Sequence, residues 1–294
     1  MLFLGRGEEL ACFEAVLAGL AGGGDPDEGH VLLVYGLGGI GKSTLLRRYG
    51  QIAAEGRAVM GARGLVLAVV DWESEQRLRA ADYVPDGGPP IWVVLDRVYR
   101  AVRDAVAGRR DTAAVEKAFA SFRLQVARLP ELAAEVQRAL PGADGGRQAS
   151  AADIDAVLQA VGRGAAILGV AHPAGALGVP AITGAAHLAH DARVVVRQRR
   201  QGLVPEQAYR LILGRVEELA DCFARGLRLV STSIGPVVVL LDTCELISGA
   251  QEYLRQAMRK SGSRVLWVAG MRLDPGPVTR ARGQAALYRQ EVSE

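Results

Sequence analysis

Lysine is nearly missing from this chain. Only Lys42, Lys117 and Lys260 stand among its 35 basic residues, and every other positive charge is an arginine. With abundant alanine and 36 glycines, this is the composition expected of a high-GC bacterial genome. A net charge of +3 is too small to argue for a nucleic-acid protein by itself. Cysteine is scarce too: Cys12, Cys222 and Cys244 form no C-x-x-C pair and no even framework, which excludes a disulfide scaffold and fits a reducing cytosol. No secretory signal is read at the start, where Met1-Leu2-Phe3-Leu4 runs straight into Gly5-Arg6-Gly7-Glu8-Glu9. Residues 164–190 carry no formal charge, which raises the question of a membrane span. Glycine and alanine dominate there, His172, His187 and His190 are polar, and Pro173 and Pro180 interrupt any helix, so the stretch reads as packed loops or a mobile insertion. A cytoplasmic protein with no membrane association is expected.

What the chain does have is a complete G-x-x-x-x-G-K-[ST] phosphate-binding loop. Residues 36–44 read Gly-Leu-Gly-Gly-Ile-Gly-Lys-Ser-Thr, between the apolar run Val31–Tyr35, read as a buried strand, and Ser43–Arg48, read as a helix. Gly36, Gly38, Gly39, Ile40 and Gly41 supply backbone N–H groups that can turn inward onto phosphates, and the helix N-terminus adds partial positive charge. Lys42 is placed to reach the β- and γ-phosphates. Ser43 is the candidate Mg²⁺ ligand, and Thr44 caps the same turn. ATP or GTP with Mg²⁺ is the expected ligand.

A second motif supplies the carboxylates. Val237–Leu241 is a continuous apolar run ending in Asp242, the pattern of a central parallel strand covered on both faces. Asp242 at the strand tip is positioned to hold Mg²⁺ opposite Ser43, directly or through water. Glu245 is the other carboxylate close enough in sequence to orient an attacking water, the alternative being an ordinary loop glutamate.

The remaining periodicities build an α/β chain. A first helix is expected over 7–20, a second parallel strand over 64–71 whose Asp71 reads as an ordinary strand-end acid, and a helix from Pro90 with Ile91, Val94, Leu95, Val98, Val102 and Val106 inward and Arg97, Arg100 and Arg103 outward. Helices follow over 113–128, 131–140 and around 151–161, then over about 205–228, and near 250–260 before a strand at Val265–Val268; Tyr288–Val292 is a candidate fifth strand. The long interval between Ser43 and Asp242 implies about 100 residues inserted into one nucleotide domain, mostly helical, at about 110–204. His187 and His190 lack a convergent third ligand for a metal. Arg193, Arg197, Arg199 and Arg200 lack interleaved aromatics and read as a solvated loop.

Phe3–Leu10, the 36–44 loop, Leu240-Leu241-Asp242-Thr243-Cys244-Glu245 and Arg264–Arg272 together resemble the signal-transduction ATPases with numerous domains (STAND), the NACHT and NB-ARC relatives within the AAA-like P-loop proteins. The resemblance implies a three-layer P-loop sandwich with a parallel sheet in the order 5-1-4-3-2, a Phe3-Leu4-Gly5-Arg6 segment against the adenine with Arg6 near the nucleotide, and Arg272 as the sensor of the γ-phosphate. The acid three positions after Asp242 is more similar to the NACHT arrangement than to an adjacent acid pair. Residues 1–294 are then one nucleotide-binding domain, with the family's helical lid and winged-helix domain expected to be absent from this sequence. The expected function is an ATP/ADP signalling switch with slow Mg²⁺-dependent hydrolysis, acting on neighbouring domains or copies of itself. The alternatives are an ADP-locked scaffold without turnover and a nucleic-acid remodelling ATPase.

Overall fold

A computed structural model describes residues 6–22, 29–59, 64–74, 89, 91–107, 111–129, 131, 206–272 and 286–291. Five strands form one sheet: β1 (His30–Tyr35), β2 (Val66–Asp71), β3 (Val237–Asp242), β4 (Val265–Met271) and β5 (Ala286–Glu291). Every pairing is parallel, and the order is β2-β3-β4-β1-β5, which read from the β5 edge is 5-1-4-3-2. The helices are α1 (Gly7–Gly22), α2 (Lys42–Val59), α3 (Ile91–Ala105), α4 (Thr112–Ala118), α5 (Ala120–Ala127), α6 (Glu206–Ser233) and α7 (Gln251–Lys260).

The period-2 alternation of the strands divides the apolar residues between two layers. Leu32 and Val34 of β1, Val238 and Leu240 of β3, and Leu266 and Val268 of β4 pack with α1 and α2. Val31, Leu33, Val237, Val239, Leu241, Val265, Trp267 and Ala269 face the opposite way, against α3 to α7. Central strands must therefore be apolar at every position, as Val237–Leu241 is. Strand β2 lies at the edge and is covered fully on one side only, so Val66, Ala68 and Val70 are buried while Val69 is 54% exposed. The molecule is thus an α/β protein with a parallel sheet between helical layers, an arrangement common to Rossmann-like and P-loop sandwiches.

Two helical expectations change. The stretch 113–128 is two helices, because Phe119 leaves helical geometry at φ −95° and ψ 10°. The break turns both Phe119 and Phe122 into a line of rings that runs from Tyr99 of α3 through Phe223 of α6 to Trp267 of β4, with successive centroids 5.1–6.4 Å apart. Helix α6 continues past residue 228 to Ser233, where the Ser231, Thr232 and Ser233 hydroxyls donate back to the Arg228 and Leu229 carbonyls and complete its last turn.

The helix expected from Pro90 presents Ile91, Val94, Leu95, Val98 and Val102 to the core, and Val106 just beyond its end is buried with them. Of the stretch expected as an insertion, α4 and α5 pack on α3 and α6. Residues 132–205 lie outside the described residues, and with them 151–161, the uncharged segment 164–190, the two histidines and the arginine cluster. Among the described residues no helix is long and apolar enough to cross a membrane.

Candidate functional site

Because all five strands are parallel, their C-terminal ends lie along one edge, where open α/β sheets bind ligands. Three neighbouring strands, β3, β4 and β1, deliver Asp242, Arg272 and the 36–41 loop to that edge.

The loop leaves β1 at Tyr35 and enters α2 at Lys42. Gly39 and Gly41 sit at φ 86° and 90°, where an L side chain is strained and glycine is not. Consecutive N–H groups can then point into the loop in place of alternating across it. A Cβ at Gly38, Gly39 or Gly41 would meet nothing within 4 Å, so these glycines serve backbone shape and not tight packing. The first bond of α2 runs from the Leu45 N–H to the Gly41 carbonyl at 2.9 Å. Its first turn therefore opens toward the loop with N–H groups that helix geometry leaves unsatisfied.

Lys42 lies under the loop, only 9% exposed. Its ammonium donates to the carbonyls of Gly36 at 2.9 Å and Leu37 at 2.6 Å. Burial lowers its pKa below the ordinary lysine value; the Glu245 carboxylate opposes that, Arg272 reinforces it and Asp242 opposes it. One ammonium thus feels all three charged residues of the site. Ser43 is exposed in the first turn of α2, while the Thr44 hydroxyl accepts from Arg47 at 3.2 Å.

Arg6 braces the loop from the other side. Its guanidinium donates to Glu9 and to the Ile40 carbonyl, both at 3.1 Å. Helix α1 is itself held on α2 by the Tyr49 hydroxyl donating to the Glu9 carbonyl at 3.1 Å and by Phe13 stacked on Tyr49 with centroids 4.3 Å apart. Arg6 is therefore at the loop, on its backbone; Phe3 and Leu4 lie outside the described residues.

Asp242 ends β3 with Oδ1 accepting from the Thr243 N–H at 2.9 Å. The same oxygen lies over Gly270 of the intervening strand, where a Cβ would come within 3.2 Å of it and 3.1 Å of Leu46 in α2. A side chain at 270 would crowd both, so glycine there gives the carboxylate room to lie over β4. By contrast, Asp71 is level with Asp242 on β2 but is used locally, accepting from the Glu73 N–H at 3.0 Å and the Ser74 hydroxyl at 2.6 Å. It is an ordinary strand-end acid.

The chain after Asp242 turns sharply into a 3₁₀ segment, Cys244–Ala250. Thr243 takes φ 58°, the left-handed region, and is the one non-glycine among the described residues to do so. For a β-branched residue this costs about 1–2 kcal/mol. Cys244 is buried beside it, its thiol on the Leu241 carbonyl at 3.5 Å and receiving the Gly270 N–H, and burial pushes that thiol well above the ordinary range. The pinned thiol and the strained turn together set where Glu245 emerges. Relief of that strain predicts that Thr243→Gly stabilises the protein by up to about 1 kcal/mol, net of glycine's backbone entropy, as a raised thermal midpoint in calorimetry. A lowered midpoint would mean that the threonine side chain makes contacts worth more than the strain.

Glu245 and Arg272 are found paired with each other, Oε1 to Nε at 2.9 Å. Arg272 is 64% exposed and Glu245 25%. The other carboxylate oxygen, Oε2, is buried and has no hydrogen-bond partner among the described residues. The sequence reading gave these two residues separate tasks, a base and a phosphate sensor, and nothing in their spacing of 27 positions announced that they meet. Gly270, alone among the apolar residues of β4, was the readable signal of a close approach there.

The residues suit a magnesium nucleotide. A loop of left-handed glycines and a buried ammonium match phosphate oxygens, while Ser43 and Asp242 are two oxygen donors of the kind Mg²⁺ takes alongside phosphates and waters. Among the described residues no group of three or more His, Cys, Asp or Glu side chains could hold a metal unaided. Comparison with protein-family models, with curated proteins and with solved structures finds no match.

Proposed function

We propose that the chain binds ATP or ADP with Mg²⁺ in this crevice and works as a signalling switch of the STAND type, a P-loop sandwich whose slow ATP hydrolysis changes contacts with neighbouring domains or with copies of itself. The observation that carries the reading is the convergence on one sheet edge of the left-handed glycine loop, the buried Lys42 ammonium and the Asp242 carboxylate, all within one electrostatic neighbourhood.

The residues divide the work. The loop N–H groups and the α2 N-terminus bind phosphate oxygens, and Lys42 moves its ammonium from the Gly36 and Leu37 carbonyls to the β- and γ-phosphates. Ser43 and Asp242 hold the ion; Mg²⁺, when bound, draws negative charge off the β- and γ-phosphates. Glu245 accepts a proton from the attacking water; Oε1 is committed to Arg272 and Oε2 is buried, so neither oxygen meets water while the pair stands. The same commitment favours the second reading, an ADP-bound scaffold, should wild-type turnover be nil.

Calorimetric titration of the chain with MgATP, MgADP and MgGTP, followed by phosphate release under saturating nucleotide, tests the proposal. Micromolar binding of ATP or ADP with slow release is expected. Absence of binding by all three would remove the nucleotide reading, and binding without release would leave the scaffold.

A further inference from the structure

The Glu245–Arg272 pair joins the two residues that a triphosphate site would keep apart, and we infer that Glu245 competes with the terminal phosphate of a bound nucleotide for Arg272, so that this ion pair sets the preference of the site between nucleoside triphosphate and diphosphate. The inference rests on the nucleotide reading above and concerns which nucleotide the resting site favours.

Four observations carry it. Arg272 follows the last residue of β4 and reaches Glu245 from a strand end beside the loop, with its side chain mostly in solvent and so free to move. Glu245 is held by a turn with little freedom, directly after the left-handed Thr243 and the buried Cys244, so the arginine is the mobile partner. Among the described residues only one Glu245 oxygen is engaged; Oε2 is buried without a partner there, which leaves the carboxylate incompletely satisfied and dependent on Arg272. Arg272 follows Met271, which pairs with Tyr35 at the entrance to the loop, so the ion pair lies beside the place a terminal phosphate would take.

The consequence follows from charge. A γ-phosphate brings added negative charge near Lys42 and attracts the guanidinium, so a triphosphate must break the pair and its affinity is reduced by whatever that costs. A diphosphate ends short of the pair and leaves it intact. The same pairing withholds Oε1 from water until a triphosphate has taken Arg272, and Oε2 is buried, which makes hydrolysis conditional on correct occupancy.

The test is a double-mutant cycle on the full chain, with dissociation constants for Mg²⁺ complexes of ADP and of the β,γ-imido analogue of ATP, whose resistance to hydrolysis removes trapping by slowed turnover as a cause. Glu245→Gln is expected to tighten the analogue about threefold, the scale of a part-exposed ion pair, and to leave ADP unchanged. Arg272→Ala should weaken the analogue by about tenfold, again with ADP unchanged. In the Arg272→Ala background, Glu245→Gln should have no further effect. Arg272→Gln serves where the alanine variant does not fold. An unchanged analogue-to-ADP ratio in Glu245→Gln overturns the inference and leaves nucleotide binding standing. Tightening that persists without Arg272 also overturns it, since Glu245 would then act by repulsion of the phosphate alone. Binding of neither nucleotide by the wild type removes the parent reading and this inference with it.

Discussion

Lys42→Ala is expected to weaken MgATP binding by about 1.5–3 kcal/mol, roughly ten- to a hundredfold, through loss of a charge-assisted contact to the β- and γ-phosphates. The ammonium already sits in the position this requires: it is nearly buried, beneath a loop whose shape it shares, and its free-state partners are two neutral carbonyls that a phosphate can replace. Burial disfavours its charge, so an arriving anion stabilises the ammonium more than it would at the surface. Truncation also strips the Gly36 and Leu37 carbonyls of their donor, so ADP binding should fall as well. Titration calorimetry of both proteins with both nucleotides measures this, with thermal melts to show that the variant remains folded. Equal affinities for MgATP would remove the loop from the phosphate site.

Asp242→Asn is expected to lower Mg²⁺-dependent phosphate release by about a hundredfold or more, because the variant keeps the shape of the side chain and loses the charge that holds the ion. An asparagine Oδ1 can still accept from the Thr243 N–H as the carboxylate does at 2.9 Å, and the space over Gly270 is unchanged, so the turn and the fold should persist. The loss should be accompanied by a raised Mg²⁺ requirement in a titration of initial rate against metal. Wild-type turnover at ordinary Mg²⁺ would show that Asp242 is a strand-end acid like Asp71. The companion Glu245→Gln should instead keep metal dependence and slow the chemical step.

The strands and the glycine loop were legible because their signals are local. Val31–Tyr35 and Val237–Leu241 are unbroken apolar runs, which only a strand buried on both faces needs, and G-x-x-x-x-G-K-[ST] fixes its own backbone through residues that tolerate left-handed φ. The helix from Ile91 was legible for the same reason, its buried positions keeping the 3.6 period. The break at Phe119 was not, because Val115, Phe119 and Phe122 are consistent with one continuous helix until Tyr99, Phe223 and Trp267 are brought around them.

By itself the sequence determined an α/β chain, a glycine-rich loop between β1 and α2, an acid at the tip of β3 and an arginine just past β4, each from residues within a few positions of one another. Tertiary structure alone decided what those residues touch. It sends the Lys42 ammonium back onto the loop, lays Asp242 over Gly270, and pairs Glu245 with Arg272. The physical reason is range: backbone preference and hydrophobic period act over a few residues, whereas Asp242, Gly270 and Lys42 meet only because parallel pairing puts β4 between β3 and β1 and brings distant strand ends to one edge of the sheet.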